Sequence, residues 1–194
     1  MKKALFIDCC IRKEESRTKK IADSFLSSLS DEYEVTHLDL PSLNLQPLVG
    51  DFFETRQELL EKKEYNHPRF NYAHQFAEAD LVIIAAPFWD LCFPALLKIY
   101  IENISVDGIT FLPSEDGLIG NCKGENLVYL TTRGGFYKDD PMEQALPHLE
   151  SLSKFFGIDH FHFVAADGMD VVGFDGEASL KNACDEASAL AKTF

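Results

Sequence analysis

The sequence predicts an α/β protein: a doubly wound sandwich in which a five-stranded parallel sheet of order 2-1-3-4-5 carries helices on both faces. Three observations predict it. Short apolar runs such as Ala4–Ile7 and Asp80–Ala86 lack polar alternation, as strands buried on both faces do. Segments with apolar residues at helical spacing fall between them, and alternation of the two kinds builds βαβ units. Five such units fit within 194 residues, so residues 1–194 read as a single domain.

Each element has its own warrant. Ala4–Ile7 is the first strand. Ile21, Ala22, Phe25, Leu26 and Leu29 share one helical face, which places a helix over Ser16–Leu29 with Ser16 as its N-cap. Glu34–Leu40 is the second strand, closed by Pro41, and Glu54–Glu64 is a charged helical segment within the Pro- and Gly-punctuated stretch 41–67. Tyr72–Ala79 leads as a helix into Asp80–Ala86, the central strand, which Pro87 stops. A helix over Pro94–Asn103 follows, with Pro94 suited to a first turn. Asp107–Cys122 carries four punctuating Gly and Pro residues and reads as a loop or small hairpin. Asn126–Thr132 and Asp159–Ala165 are the last strands, and Pro147–Phe156 and Ala178–Ala191 the last helices.

Composition excludes several classes. Lys+Arg 18 against Asp+Glu 32 gives a formal net charge of −14, wrong for a nucleic-acid partner, whose phosphates need a basic face. No apolar run approaches the roughly 20 residues that span a bilayer, so no membrane partner is expected. The run after Lys2-Lys3 stops at Asp8, too short for a secretory leader. The five cysteines, an odd number, fit reduced thiols in the cytoplasm better than a disulfide framework. His160 and His162 alternate on one strand without an evident third ligand, so no metal is expected.

In this architecture ligands sit outside the carboxyl ends of the strands, where the strand order switches. Three loops reach that edge. Cys9–Thr18 ends in Ser16-Arg17-Thr18 at a helix start, where free amides and the dipole make a phosphate cradle to which Arg12 or Arg17 adds charge; capping alone also accounts for Ser16. Pro87-Phe88-Trp89-Asp90-Leu91 sets the one Trp directly after a buried strand, either as a shelf for a flat ring or as packing beneath the next helix. Thr132-Arg133-Gly134-Gly135 turns sharply, and its glycines let backbone amides approach a ligand. A flat cofactor with a phosphate tail, such as FMN, fits all three.

These residues resemble the FMN-dependent NAD(P)H oxidoreductases of the azoreductase and NAD(P)H:quinone reductase family. The resemblance runs from Lys3 to about Asp170 and is most specific in Ala86–Lys98, Asp107–Phe111 and Thr132–Lys138. It implies a flavodoxin-like fold, FMN as cofactor, NADH or NADPH as donor, quinones or azo compounds as flat acceptors, and a homodimer. It also implies that Ser16, Arg17 and Thr18 hold the phosphate, that Phe88 to Leu91 line the isoalloxazine, and that Thr132, Arg133, Gly134 and Gly135 bond its pyrimidine edge. Tyr137 falls where relatives place a Tyr or His beside the flavin, as a hydrogen-bond donor or as a wall. Two positions depart from the family: Cys9 stands where a Ser hydroxyl is usual, and Asp8 puts an acid beside the phosphate loop.

The expected activity is two-electron, ping-pong transfer from NAD(P)H to an acceptor through the flavin N5. Two other readings compete. A flavodoxin-type electron carrier or flavin-binding module suits the acidic charge. A low-molecular-weight tyrosine phosphatase places Cys-x5-Arg after its first strand, but six residues separate Cys10 from Arg17 here and seven separate Cys9 from it.

Overall fold

The computed structural model describes residues 1–115 and 117–194; residue 116, inside the expected loop or hairpin at 107–122, lies outside the described residues. The strands are β1 (Lys2–Asp8), β2 (Tyr33–Asp39), β3 (Leu81–Ala85), β4 (Phe111–Ser114), β5 (Gly117–Gly120), β6 (Asn126–Thr132) and β7 (His160–Ala166). The α-helices are α1 (Arg17–Leu26), α2 (Gly50–Glu61), α3 (Asn71–Glu78), α4 (Ala95–Ile104), α5 (Ala145–Phe155) and α6 (Gly176–Ala191). The main sheet has order β2-β1-β3-β6-β7 and is parallel throughout, which is 2-1-3-4-5 when its own strands are numbered along the chain. β4 and β5 form a separate antiparallel hairpin between α4 and β6.

Strand alternation divides the core into two layers. Leu5, Ile7, Val82, Ile84, Leu127 and Tyr129 face α3, α4 and α5, where Phe76, Leu97, Tyr100, Ile101 and Leu149 complete one layer. Ala4, Phe6, Leu81, Ile83, Val128 and Leu130 face α1 and α6, against Ile21, Ala22, Phe25, Leu180, Ala183 and Ala187. Each large side chain buried in this way contributes about 1.5–3 kcal/mol, so both layers are needed to hold the central strands.

Element ends shift by a few residues from the sequence expectation, for local reasons. α2 spans Gly50–Glu61 instead of 54–64, with Asp51 in its first turn where a carboxylate meets the positive end of the helix. It stops early because Lys63 adopts φ 55 and the Glu64 amide donates back to the Leu59 carbonyl, a Schellman-type closure. α5 begins at Ala145, two residues before Pro147, because the Glu143 carboxylate accepts from the Ala145 and Leu146 amides. Pro147 fits inside that first turn, where no backbone donor is needed. Ser16 caps α1, accepting from the Lys19 amide at 3.3 Å.

Candidate active site

The carboxyl ends of β1, β3, β6 and β7 open on one edge of the sheet, where the loops meet around a cleft of about 130 Å³. The first wall comes from the segment after β1. It makes a 3-10 turn over Lys13–Glu15, and Ser16 then starts α1. The Arg17 and Thr18 amides, at the first two helical positions, donate to no backbone or side chain among the described residues. A helix start in this state presents two N–H donors and the positive dipole end to whatever lies above it.

The second wall follows β3. Pro87 and Phe88 lead to Trp89, whose amide donates to the Cys92 carbonyl at 2.8 Å while the Cys92 amide donates back at 2.9 Å. Asp90 and Leu91 complete this two-residue hairpin with φ 49 and φ 66, the left-handed pair of a type I′ turn built without glycine. The turn pushes Trp89 outward, 44% exposed, at the mouth of the cleft.

The third wall is Thr132–Gly134, braced from behind by the turn after β7. Met169 and Asp170 amides donate to the Arg133 and Gly134 carbonyls, and the Gly168 amide to that of Gly135, so the two segments run as a laced pair. The Gly134 and Gly135 amides remain without acceptors among the described residues. Arg17 reaches across to the Met169 carbonyl at 2.8 Å and to Asp170 Oδ1 at 2.9 Å. Arg133 is 3% exposed and is held by Asp167 through Nε and Nη2, while its Nη1 has no partner. A buried guanidinium N–H left over in this way is a donor in search of an acceptor.

Ser16, Arg17, Thr18, Pro87, Phe88, Trp89, Thr132, Arg133 and Gly134 line this cleft together. The other expected site residues lie elsewhere. Asp90 and Leu91 form the hairpin tip, and Gly135 lies just beyond the lining. Tyr137 packs its ring 4.7 Å from that of Phe88 and faces a neighbouring depression of about 490 Å³, which Arg133 also lines. Cys9, expected beside the cofactor, does not line the cleft: its side chain is fully buried in the layer facing α4, because the strand alternation of Leu5 and Ile7 continues one step past β1. Burial pushes its thiol up to about 12. Cys10 faces the opposite layer, and burial raises its thiol as well. Neither is the exposed thiolate that the phosphatase reading requires.

Ile11, Met169 and Asp170 also line the cleft and were not among the expected residues. The one signal for the last two is the Asp167-Gly168 turn at a strand's carboxyl end, with Gly168 at φ +74. Among the described residues, no group of three or more His, Cys, Asp or Glu is placed to hold a metal ion. The donors and walls suit a phosphate at the start of α1 and a flat ring beside Phe88 and Trp89.

Comparison with known proteins identifies the family. Residues 2–191 match the family model described as flavodoxin-like fold. An FMN-dependent NADH:quinone oxidoreductase of Clostridium perfringens is 38% identical, with 100% of both chains covered. A protein of Clostridium acetobutylicum called FMN-dependent NADH:quinone oxidoreductase 2 is also 38% identical over the whole of both chains. The solved structure of an azoreductase from Bacillus anthracis superposes with TM-score 0.89 at 26% identity, covering 100% of each chain. A Bacillus anthracis FMN-dependent NADH-azoreductase in complex with FMN (TM-score 0.83, 22% identity, 100% of this chain and 99% of that one) shares the fold. The chain belongs to the flavodoxin-like family that includes the FMN-dependent NADH:quinone oxidoreductases.

Proposed function

We propose that the cleft holds FMN and that the protein is an FMN-dependent oxidoreductase, passing electrons from NADH to quinone or azo-type acceptors. The observation that carries this reading is the convergence of unpaired donors and aromatic surface in one place. The Arg17 and Thr18 amides face the cleft from the start of α1, Gly134 from the turn after β6, and Phe88 and Trp89 from the loop between them. The residues fit the cofactor: a dianionic phosphate uses the helix amides and Arg17, and the orphaned Arg133 Nη1 marks a further place for an acceptor oxygen.

Bound there, FMN supplies hydride and two-electron chemistry at its N5. The chain's own contribution is positioning and electrostatics. Thr18 and Thr132 share one hydrogen bond between their hydroxyls, which leaves one of the two O–H groups free to donate to a ligand. The amides of Gly134 and Gly135 are fixed donors for negative charge on the pyrimidine edge of a flavin, and they need no reorganisation when that charge develops. Tyr137 supports Phe88 from behind. Donor and acceptor use the same mouth, beside Trp89, and so enter in turn.

That mouth carries an apolar collar. Trp89 is exposed at the mouth, and Leu91, Phe136, Val172 and Phe174 are exposed on the loop segments that follow β3, β6 and β7, where Phe136 and Phe174 meet edge to face at 4.9 Å. A second copy of the chain that covers this collar would exclude water from the ring, which supports a homodimer. The five free cysteines support a reducing compartment, the cytoplasm. No helix among the described residues is long and apolar enough to cross a membrane.

The test is direct. Purified protein titrated with FMN is expected to develop the shifted, structured absorbance of a bound flavin and then to oxidise NADH when a quinone is added, with parallel double-reciprocal lines. Protein that leaves the FMN spectrum unchanged at high micromolar excess refutes the proposal. Sedimentation of wild type against Phe136→Asp reads the dimer: mass should fall from two chains to one.

A further inference from the structure

We infer that Asp8, the acid that stands beside the phosphate loop, is a positioning residue that sets the shape of that loop; the inference rests on the reading of the cleft as an FMN site. An acid at this place repels a phosphate if it faces the cleft. It does not: Asp8 is 4% exposed and is absent from the lining of the cleft. Its Oδ1 accepts from the Cys10 amide at 2.9 Å. Its Oδ2 lies 3.1 Å from His37 Nε2, on β2, and 3.9 Å from Lys19 Nζ, on α1. His37 stacks on Phe6 at 4.8 Å, and the Lys19 ammonium sits 5.5 Å from the same ring. The charge is thus spent on groups at the back of the loop.

What Asp8 holds there is the first link of a relay. The Cys10 amide is fixed by Asp8, and the Cys10 carbonyl accepts from the Lys13 amide at 2.9 Å. The Lys13 carbonyl accepts from the Ser16 amide at 2.9 Å, and Ser16 Oγ accepts from the Lys19 amide. Each link passes the chain one turn onward, from the end of β1 to the cap of α1. The relay also carries Lys13 at φ 52, a left-handed conformation that a lysine does not hold unaided. Removing Asp8 frees the first link, and the amides of Arg17 and Thr18 lose their fixed aim.

Comparing FMN with riboflavin, which has the ring without the phosphate, separates positioning from general damage. In fluorescence titrations of apoprotein, Asp8→Ala is expected to weaken FMN by about tenfold, the worth of one hydrogen bond to a charged group. Riboflavin affinity should stay at the wild-type value. Asp8→Asn keeps an acceptor for the Cys10 amide and should restore FMN to within about twofold of wild type. Unchanged FMN affinity in Asp8→Ala, or equal loss of both ligands, overturns the inference. If Asp8→Ala fails to fold, His37→Ala at a nearly half-exposed position gives the same reading, a smaller drop in the FMN-to-riboflavin ratio, and an unmoved ratio overturns it. Wild-type protein with no preference for FMN over riboflavin would instead refute the phosphate cradle itself, a result distinct from any effect of Asp8.

Discussion

The hydroxyls of Thr18 and Thr132 lie 2.7 Å apart, buried, and join the first turn of α1 to the last residue of β6. Two walls of the cleft that are 114 positions apart in the chain are thereby tied at their base. Thr18→Val or Thr132→Val leaves the other hydroxyl unpaired and should cost about 1–3 kcal/mol in urea denaturation. The double valine variant should be closer to wild type than the two losses added together, because no orphan remains.

Gly134 has a neighbour where a side chain would begin. A Cβ there lies 2.7 Å from Asp170 Oδ2, so Gly134→Ala must displace the carboxylate that anchors Arg17. FMN should bind about five- to tenfold more weakly, since a loss near 1 kcal/mol falls in that range. Asp170→Ala removes the same anchor and should have a similar effect. The two changes combined should be no worse than one, read by flavin fluorescence quenching.

Leu91 holds φ 66 with a branched side chain, a conformation that costs an L-residue about 1–2 kcal/mol. Leu91→Gly should therefore raise the unfolding free energy read from urea denaturation by about 0.5–1 kcal/mol after the entropy of glycine is counted. The same change trims the apolar rim beside Trp89. The KM for bulky apolar acceptors should rise while that for small quinones stays level.

Stability should fall in alkali. Burial raises the Cys9 and Cys122 thiols from 9.0 to about 12, and raises Cys10, Tyr100 and Tyr129 in the same direction. Unfolded chains release these protons first, so the stabilisation is complete below about pH 9 and is lost as pH rises toward 12. Melting temperature should decline steeply across that window. Cys9→Ala should flatten the decline even though it lowers the starting value.

Much of this was legible in the sequence. β3 is an unbroken apolar run that only a doubly covered strand explains, and Pro87 after it fixes where the second loop begins. Ser16 could be read as a cap because it stands just ahead of the apolar face of α1, where a hydroxyl can accept from a first-turn amide. The sequence puts Cys9 at the start of the first loop, whereas the period-two alternation of Leu5 and Ile7 carries on through it and turns its side chain into the core. Met169 and Asp170 have only the Asp167-Gly168 turn before them as a signal, because they reach the cleft through backbone lacing to Arg133 and Gly134, and such pairing leaves no mark on residue type. The direction of Asp8 likewise depends on His37, a residue on another strand.

The opposed burial of Cys9 and Cys10 has a chemical consequence under the proposed reaction with quinones. Quinones are electrophiles that alkylate thiolates, and a vicinal thiol pair beside the cleft would be the first casualty of the reaction. Here the two sulfurs lie in separate layers of the core, both kept protonated by burial. Under that proposal the chain carries two adjacent cysteines next to the cleft without their being arylated by the acceptor.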